Sequence, residues 1–340
     1  MILVINCGSQ SIKWEAFDNG LNLISAGKGE YFDLKKAGPV IRAEFDRIRK
    51  KFSKIDFVGH RVVWGGEFFE PLLVKKPVLG KLEKFSGHAP LHNPFEILAI
   101  KIAQKSFKEA KQVAVFDSGF FKDLPEVARR YPLLESLNKK YSIRRYGFHG
   151  ISHKYLTFEA AKILKKPVSQ TNLITLHLGG GASITAIKAG KPIDTSMGFT
   201  PLEGLLMTTR SGDIDAGLVL FLVKKLGLKR TERILSVEGG LRAISGYSDF
   251  RNVLKSKKKS SKLAFDMFVY RIRKYLMAYY GVLEGEVDAI VFSGSIGAGN
   301  AKTKNAVLKN LPISKKIKIL TIKTNESYQI AKEIKEKWRL

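Results

Sequence analysis

The residues of this chain best equipped for chemistry are charged and imidazole side chains at the ends of apolar runs. Arg61 lies in Gly59-His60-Arg61-Val62-Val63. A guanidinium beside a buried strand is costly unless an anion meets it, whether an internal carboxylate or a ligand. Arg210 lies in Thr208-Thr209-Arg210-Ser211-Gly212-Asp213, where it can grip an anion or pair with Asp213 or Asp215. Asp117 closes the apolar run 112–116, and Glu326 follows Lys323-Thr324-Asn325. Together they can hold one Mg²⁺, which takes one or two carboxylates and keeps several waters.

Three histidines sit in informative settings: His92 in Pro90-Leu91-His92-Asn93-Pro94, and His149 with His153 in Gly147-Phe148-His149-Gly150-Ile151-Ser152-His153. The last two have the i, i+4 spacing of a helical metal pair. No cysteine or nearby glutamate completes a zinc set, and Gly150 weakens a helix there. A phosphoryl-contacting imidazole fits better, and one of the pair can equally be a hydrogen-bonded core residue. Gly8-Ser9-Gln10-Ser11-Ile12-Lys13 exposes backbone N–H groups and hydroxyls, with a lysine beyond. It reads as a phosphate cradle or as a plain turn, and not as a Walker loop.

The elements that must position these groups follow from the apolar patterning. The opening stretch predicts a strand over 2–6, a turn at 8–11 and a second strand over 12–17, closed by the hairpin signal Asn19-Gly20. A comparable layout returns over 173–190 around Gly179-Gly180-Gly181-Ala182, and both turns contain Gly-x-x-Ser-Ile. The echo points to two related lobes, each offering a turn to phosphate. Further apolar runs carry special residues: 57–63 lies around His60-Arg61, 112–116 precedes Asp117, and 287–292 precedes Ser293-Gly294-Ser295-Ile296-Gly297, functional groups at strand ends being what an α/β sheet typically displays. Phe268, Ile272, Tyr275, Leu276, Tyr279 and Leu283 form one face of a helix and read as core.

Length and composition bound the rest. At 340 residues, two lobes are expected, and 44% apolar residues can fill both cores. A single cysteine, Cys7, rules out an intrachain disulfide framework and suits a reducing compartment. No signal peptide or membrane-spanning run is evident, so a cytoplasmic chain without a membrane partner is expected. Fifty-nine basic against 31 acidic residues give a formal charge of +28, attractive to any polyanion. The densest run, KSKKKSSK at 255–262, lacks interleaved aromatics. It reads as a solvated face, and no specific nucleic-acid partner is expected.

Taken together and in order, these segments resemble the acetate kinase family, within the acetate and sugar kinase, Hsc70 and actin superfamily. The carrying stretches include VINCGSQSIK (4–13), VGHRVVWGGE (58–67), APLHNP (89–94), VAVFDSGF (113–120), RRYGFHGISHKY (144–155), ITLHLGGGASI (174–184), IDTSMGFTPLEGL (193–205), TRSGDID (209–215), SDFR (248–251), DAIVFSGSIG (288–297) and TNE (324–326). The resemblance implies an α/β, two-lobed actin-like ATPase (ribonuclease H-like) fold with an interlobe active-site cleft. Residues 1–118 plus 326–340 would form the N-terminal lobe and 119–325 the nucleotide-binding lobe. It implies reversible phosphoryl transfer between ATP and acetate, giving acetyl phosphate and ADP, with Mg²⁺ or Mn²⁺, in a homodimer.

By the same resemblance, Asn6, Asp117 and Glu326 surround the metal, and Arg61 and Arg210 grip the acyl carboxylate and the moving phosphoryl. His149 stabilises its equatorial oxygens, with His92 nearby. Val63, Leu91, Phe148 and Pro201 wall the methyl pocket. The nucleotide lies on Ser9, Ser11 and Lys13, on His177, Leu178, Gly179, Gly180 and Gly181, on Asp249, Phe250 and Arg251, and on Ser295, Ile296, Gly297, Ala298 and Gly299. Acetate is already ionised at pH 7, so Asp117 is expected to act through Mg²⁺ and not as a base. The departures cluster at the nucleotide end. Gly180 replaces the usual asparagine of the glycine turn, Ser295, Ala298 and Gly299 interrupt the usual late loop, Gln10 and Trp64 replace a serine and a histidine, and the chain is shorter than typical members. A propionate or butyrate kinase, a pyrophosphate-dependent enzyme and a non-catalytic nucleotide-binding relative are the alternatives.

Overall fold

The first strand, β1 (Ile2–Cys7), reads as a continuous apolar run and not an alternating one because both of its faces are covered. In the computed structural model, which describes residues 1–89 and 92–340, the chain forms two compact units. One comprises Met1–Lys122, Phe148–Ser152 and Asn325–Leu340, and the other Asp123–Gly147 and His153–Thr324. Leu91, expected in the acyl pocket, lies outside the described residues.

The first unit is built on a six-stranded sheet. β1 pairs antiparallel with β2 (Ser11–Phe17), which pairs with β3 (Leu23–Glu30); on its other side β1 runs parallel to β4 (Phe57–Val62). Beyond them lie β5 (Leu72–Leu73) and β6 (Lys111–Phe116), in the order β3-β2-β1-β4-β6-β5. The helices Leu34–Lys51 and Asn93–Ser106 cover one face through Ile41, Phe45, Ala99 and Ala103. The helix Glu326–Trp338 covers the other through Ile330, Ala331 and Ile334. Its approach is so close that a Cβ on Gly59 in β4 would lie 2.6 Å from Ile334 Cδ1 and 2.9 Å from Ile330 Cγ2, so any larger residue there would displace the packing of both isoleucines.

The predicted hairpin forms, with a refinement. Asp18 accepts from Asn22 N at 2.8 Å and from Asn22 Nδ2 at 3.0 Å, and the left-handed residue of the loop is Leu21 (φ 66°), not Gly20. The Asp18–Asn22 hydrogen bonds close a longer loop than the two-residue turn that Asn-Gly signals.

The second unit repeats the plan. β7 (Leu173–Leu178) pairs antiparallel with β8 (Ala182–Lys188), and β8 with β9 (Lys191–Thr195). β7 runs parallel to β10 (Ala289–Ser293), which is followed by β11 (Lys318–Thr321), giving β11-β10-β7-β8-β9. The order matches β6-β4-β1-β2-β3 of the first sheet. The expected apolar stripe lies on the helix Lys259–Val282, where Phe268, Ile272, Leu276 and Tyr279 are buried. No described helix is long and apolar enough to cross a membrane.

His60, in the middle of this packing, is buried. Gln112 is fixed by donating Nε2 to Phe107 O at 3.3 Å and Ala110 O at 3.2 Å, so its oxygen accepts from His60 Nε2 at 2.9 Å. His60 Nδ1 is buried, with no hydrogen-bond partner among the described residues. Burial lowers the imidazole to about 4, with the Gln112 bond only partly opposing the shift. The unfolded chain, with a histidine near 6.5, therefore binds a proton that the folded chain refuses. Stability held above pH 6.5 is lost as pH falls towards 4, by about 3 kcal/mol from this residue. Urea unfolding of wild type and His60→Gln across pH 7 to 4 should show a slope shallower by close to one proton in the variant. Parallel slopes would refute the burial of a neutral imidazole.

Candidate active site

Parallel strands β1, β4 and β6 end at one edge of the first sheet, which is why Asn6, Arg61 and Asp117 meet although they are far apart in the chain. Arg61 Nη2 donates to Asp117 Oδ2 at 2.7 Å and Nε to Oδ1 at 3.1 Å, a two-pronged pair. Its Nη1 reaches Asn6 Oδ1 at 3.4 Å and Glu326 Oε2 at 3.6 Å, and Asn6 Nδ2 donates to Glu326 Oε2 at 3.2 Å. Glu326 arrives there because Asn325 caps the last helix, accepting from Tyr328 N at 3.1 Å, which leaves Glu326 in the first turn.

The electrostatics follow from burial. The Asp117 side chain is 1% exposed and that of Arg61 16%. Burial opposes the Arg61 charge, but the Asp117 and Glu326 carboxylates outweigh it and hold the guanidinium above its ordinary value. Burial pushes the Asp117 carboxyl up; the Arg61 charge and hydrogen bonds restrain the rise, Glu326 adds to it, and the His149 N–H opposes it. Because arginine does not give up its proton, the fork keeps a charged pair in place.

The segment Phe148–Ser152 is fastened to the same strand end. Gly150 N donates to Asp117 O at 2.8 Å, and a Cβ on Gly150 would lie 2.1 Å from that oxygen. His149 takes a left-handed backbone (φ 57°), uncommon for a non-glycine residue, and Phe148 is buried. The i, i+4 partner His153 does something else: its Nδ1 contacts Thr175 Oγ1 at 2.7 Å and its Nε2 contacts Ser183 Oγ at 2.8 Å. It is a core histidine of the second unit.

The turn at 8–11 closes through Gly8 N donating to Ser11 O at 2.9 Å, and it is braced by Tyr31, whose hydroxyl donates to Gly8 O at 2.6 Å. Ser9 and Ser11 are half-buried and Lys13 is exposed. Lys13 lies opposite Asn6 across the β1–β2 pair, so both side chains share one face. His92 precedes the helix Asn93–Ser106, and Val63 is buried just beyond Arg61.

In the second unit, His177 and Leu178 end β7 and lead into Gly179, Gly180 and Gly181, where Gly179 N donates to Gly181 O at 2.9 Å. Thr208 fastens this turn, its Oγ1 donating to Gly180 O at 2.9 Å. Two residues on, Arg210 Nη1 donates to Pro201 O at 3.0 Å. The two carboxylates weighed as partners of Arg210 have other work: Asp213 accepts from Gly204 N and Tyr275 OH, each at 2.7 Å, and Asp215 accepts from Leu218 N at 2.7 Å as a helix cap.

Ser295, Ile296 and Gly297 follow β10 in the short helix Gly294–Gly297, packed so tightly that a Cβ on Gly294 would meet Leu178 O at 2.3 Å. Ala298 and Gly299 follow. A Cβ on Gly299 would meet Ser295 O at 2.3 Å, whereas one on Gly180 would meet only Thr208 Oγ1 at 3.8 Å. Gly299 is therefore required by the backbone, and Gly180 is not. Asp249 caps the helix Phe250–Lys255 and pairs with Arg251 at the surface, at 2.7 Å. Phe250 packs inward on Phe265 and Phe268, so the turn presents Asp249 and Arg251.

A sequence profile of the acetokinase family matches residues 26–332. The chain belongs to the acetokinase family. This acetokinase-family chain is 38% identical to the acetate kinase of Carboxydothermus hydrogenoformans, with 98% of each covered. It is 41% identical to that of Helicobacter acinonychis over 91% of this chain and 86% of the relative. Among solved structures, a propionate kinase from Francisella tularensis superposes with a TM-score of 0.90 at 35% identity, and the Porphyromonas gingivalis acetate kinase with 0.84 at 32%, each covering 98% of both chains. The expected α/β, two-lobed actin-like fold is the fold of this family member.

Two contributors escaped the sequence reading. Asn93 Oδ1 accepts from Trp64 N at 3.2 Å and its Nδ2 donates to Trp64 O at 2.8 Å; Glu96 Oε2 accepts from Val63 N at 3.0 Å. Glu96 left a signal, a lone carboxylate in the apolar run Phe95-Glu96-Ile97-Leu98.

Removing one partner of a buried pair strands the other charge. Asp117→Asn should destabilise the protein by about 3 kcal/mol, and adding Arg61→Met should restore part of the loss, both read by urea unfolding. Strict additivity of the two substitutions would show that the pair is not energetically coupled.

Proposed function

We propose that this chain is an acetate kinase, transferring a phosphoryl group reversibly between ATP and acetate by direct in-line displacement, to give acetyl phosphate and ADP. The observation that carries the reading is the meeting of Arg61, Asp117, Asn6 and Glu326 at the ends of parallel strands. The family to which the chain belongs supports it.

The chemistry needs alignment and charge neutralisation more than proton transfer. Acetate is ionised at neutral pH, so its oxygen attacks phosphorus without a base, and Asp117 already has both oxygens on Arg61. The outer nitrogen of Arg61 is different. Its contacts at 3.4 and 3.6 Å are long, and an acyl carboxylate can exchange with them for a shorter, charge-assisted bond. Arg210 and His149 are assigned to the charge that spreads over the transferring phosphoryl. His92, Val63, Leu91, Phe148 and Pro201 are assigned to the acyl group.

Two carboxylates and an amide oxygen, from Asp117, Glu326 and Asn6, are the hard donors that Mg²⁺ or Mn²⁺ accepts. Bound there, the ion would neutralise phosphate charge in the transition state. The nucleotide is assigned to Ser9, Ser11 and Lys13 and to the residues at 177–181, 249–251 and 295–299. The open space at Gly180 leaves room for a ligand group where other members carry a side chain.

A homodimer is part of the same reading. The helix Ala216–Leu226 has no buried residue, and Leu220 is 72% and Phe221 54% exposed, with Leu228 beside them at 69%. An apolar surface of this kind marks an association face, and a second copy of the chain is its assigned partner.

Trapping acyl phosphate with hydroxylamine tests the assignment. Acetate with ATP and Mg²⁺ should give the most hydroxamate, butyrate little, and Asp117→Asn should lower turnover about 100-fold. A preference for pyrophosphate, or for propionate, would replace the donor or the acid in this reading; no product with any pair would overturn it in favour of a non-catalytic binder. Separately, Leu220→Glu should convert a dimer to a monomer in light scattering. A wild-type monomer, or a dimer indifferent to the substitution, would remove the assigned interface.

A further inference from the structure

The helix Asn93–Ser106 does more than cover the sheet. Its first turn holds the backbone immediately after Arg61 at three points: Asn93 takes both the N–H and the C=O of Trp64, and Glu96 takes the N–H of Val63. Both side chains are buried, Asn93 at 0% and Glu96 at 3% exposure. Between them, Phe95 stacks on Tyr31 at 5.9 Å, and Tyr31 holds Gly8 O. One helical turn thus braces the segment that carries Val63 and, through Tyr31, the first phosphate turn.

A carboxyl is an expensive choice for such a brace. A buried carboxylate without a counter-ion is disfavoured, and leucine or methionine would fill the same space in an apolar helix at no electrostatic cost. Burial accordingly pushes Glu96 up to about 8; the Val63 hydrogen bond and the Arg61 charge pull it back, and Asp117 adds to the rise. The shift favours the neutral acid, and in either form a carboxyl oxygen accepts the Val63 N–H at 3.0 Å. What it supplies is a directional bond to one backbone atom.

We propose that Glu96 is a positioning and specificity-determining residue of the acyl subsite, fastening the Val63 backbone so that the Val63 side chain sets the size of acid accepted next to Arg61. The inference rests on the assignment of Val63 to the acyl pocket. Of the three bonds only that of Glu96 meets Val63 itself, the other two holding Trp64; its loss lets the wall shift at Val63, and a longer acid gains relative to acetate.

The full-length protein and the variants Glu96→Gln, Glu96→Asp, Glu96→Leu and Val63→Ala would be compared in the hydroxamate assay with acetate and propionate, alongside thermal unfolding. Glutamine keeps a neutral acceptor at the same reach, and Glu96→Gln should stay within about threefold of wild type in every parameter. Aspartate is one methylene short. Glu96→Asp and Glu96→Leu should raise KM for acetate about tenfold, leave KM for ATP and kcat within about threefold, and move the propionate-to-acetate ratio of kcat/KM in the same direction as Val63→Ala. If Glu96→Leu does not fold, the contrast between Glu96→Asp and Glu96→Gln decides. Equal behaviour of those two, or a lower unfolding temperature with acid preference unchanged, overturns the proposal while a shifted Val63→Ala leaves the pocket assignment standing. A silent Val63→Ala removes the assignment and the proposal together.

Discussion

Arg61 carries a charge that cannot be titrated away, on a strand whose neighbours are apolar, and the first unit is arranged around answering it. The nearest anion is Asp117, two-pronged at 2.7 and 3.1 Å. It is available only because β4 and β6 run parallel and end together. An antiparallel partner would have carried Asp117 to the opposite edge. The parallel pairing in turn requires a crossover, which the helix Asn93–Ser106 supplies between β4 and β6 while its first turn grips Val63 and Trp64. Ion pair, strand direction and helix placement are one constraint seen at three scales.

The second carboxylate reaches the cluster by a different route. Glu326 belongs to the last helix, which must lie close beneath β4 for its first turn to meet Arg61. Gly59 permits that approach, since a side chain there would push Ile330 and Ile334 away from the strand. Asn325 fixes where the helix begins. A glycine two residues before the arginine and a cap one residue before the glutamate therefore set a contact of 3.6 Å between residues at opposite ends of the chain.

Much of this was legible in the sequence. Strand ends advertise themselves where an apolar run meets a charged residue: Asp117 follows the last residue of β6, and Arg61 interrupts the run just before β4 ends. The glycine turns at 8–11 and 179–181 were visible for the same reason, and the matching order of the two sheets is the physical content of the Gly-x-x-Ser-Ile echo. Less legible was anything decided by a single side-chain bond. His149 and His153 share a motif, yet one faces Asp117 through its backbone and the other is consumed by Thr175 and Ser183. Their spacing carries no trace of that division, because it arises where the chain passes from one unit to the other within the helix Gly150–Leu164.

Backbone-directed side chains were the least visible, for a reason that reaches beyond this chain. Motif reading favours residues that point at ligands, whereas Asn93 and Glu96 point at the N–H and C=O groups of Val63 and Trp64. A bond to backbone depends little on what side chain its partner bears, so it leaves no complementary residue to recognise. What it does leave is an anomaly of burial. Glu96 is a carboxyl inside an apolar helix run, and a group that costs desolvation must be offset by a bond the fold cannot easily form otherwise. The same reasoning separates the glycines at the nucleotide end. Gly299 is dictated by a carbonyl 2.3 Å from where its Cβ would stand, while Gly180 has open space before it. Of these two departures from the family pattern, only Gly180 is therefore free to be a choice about the ligand.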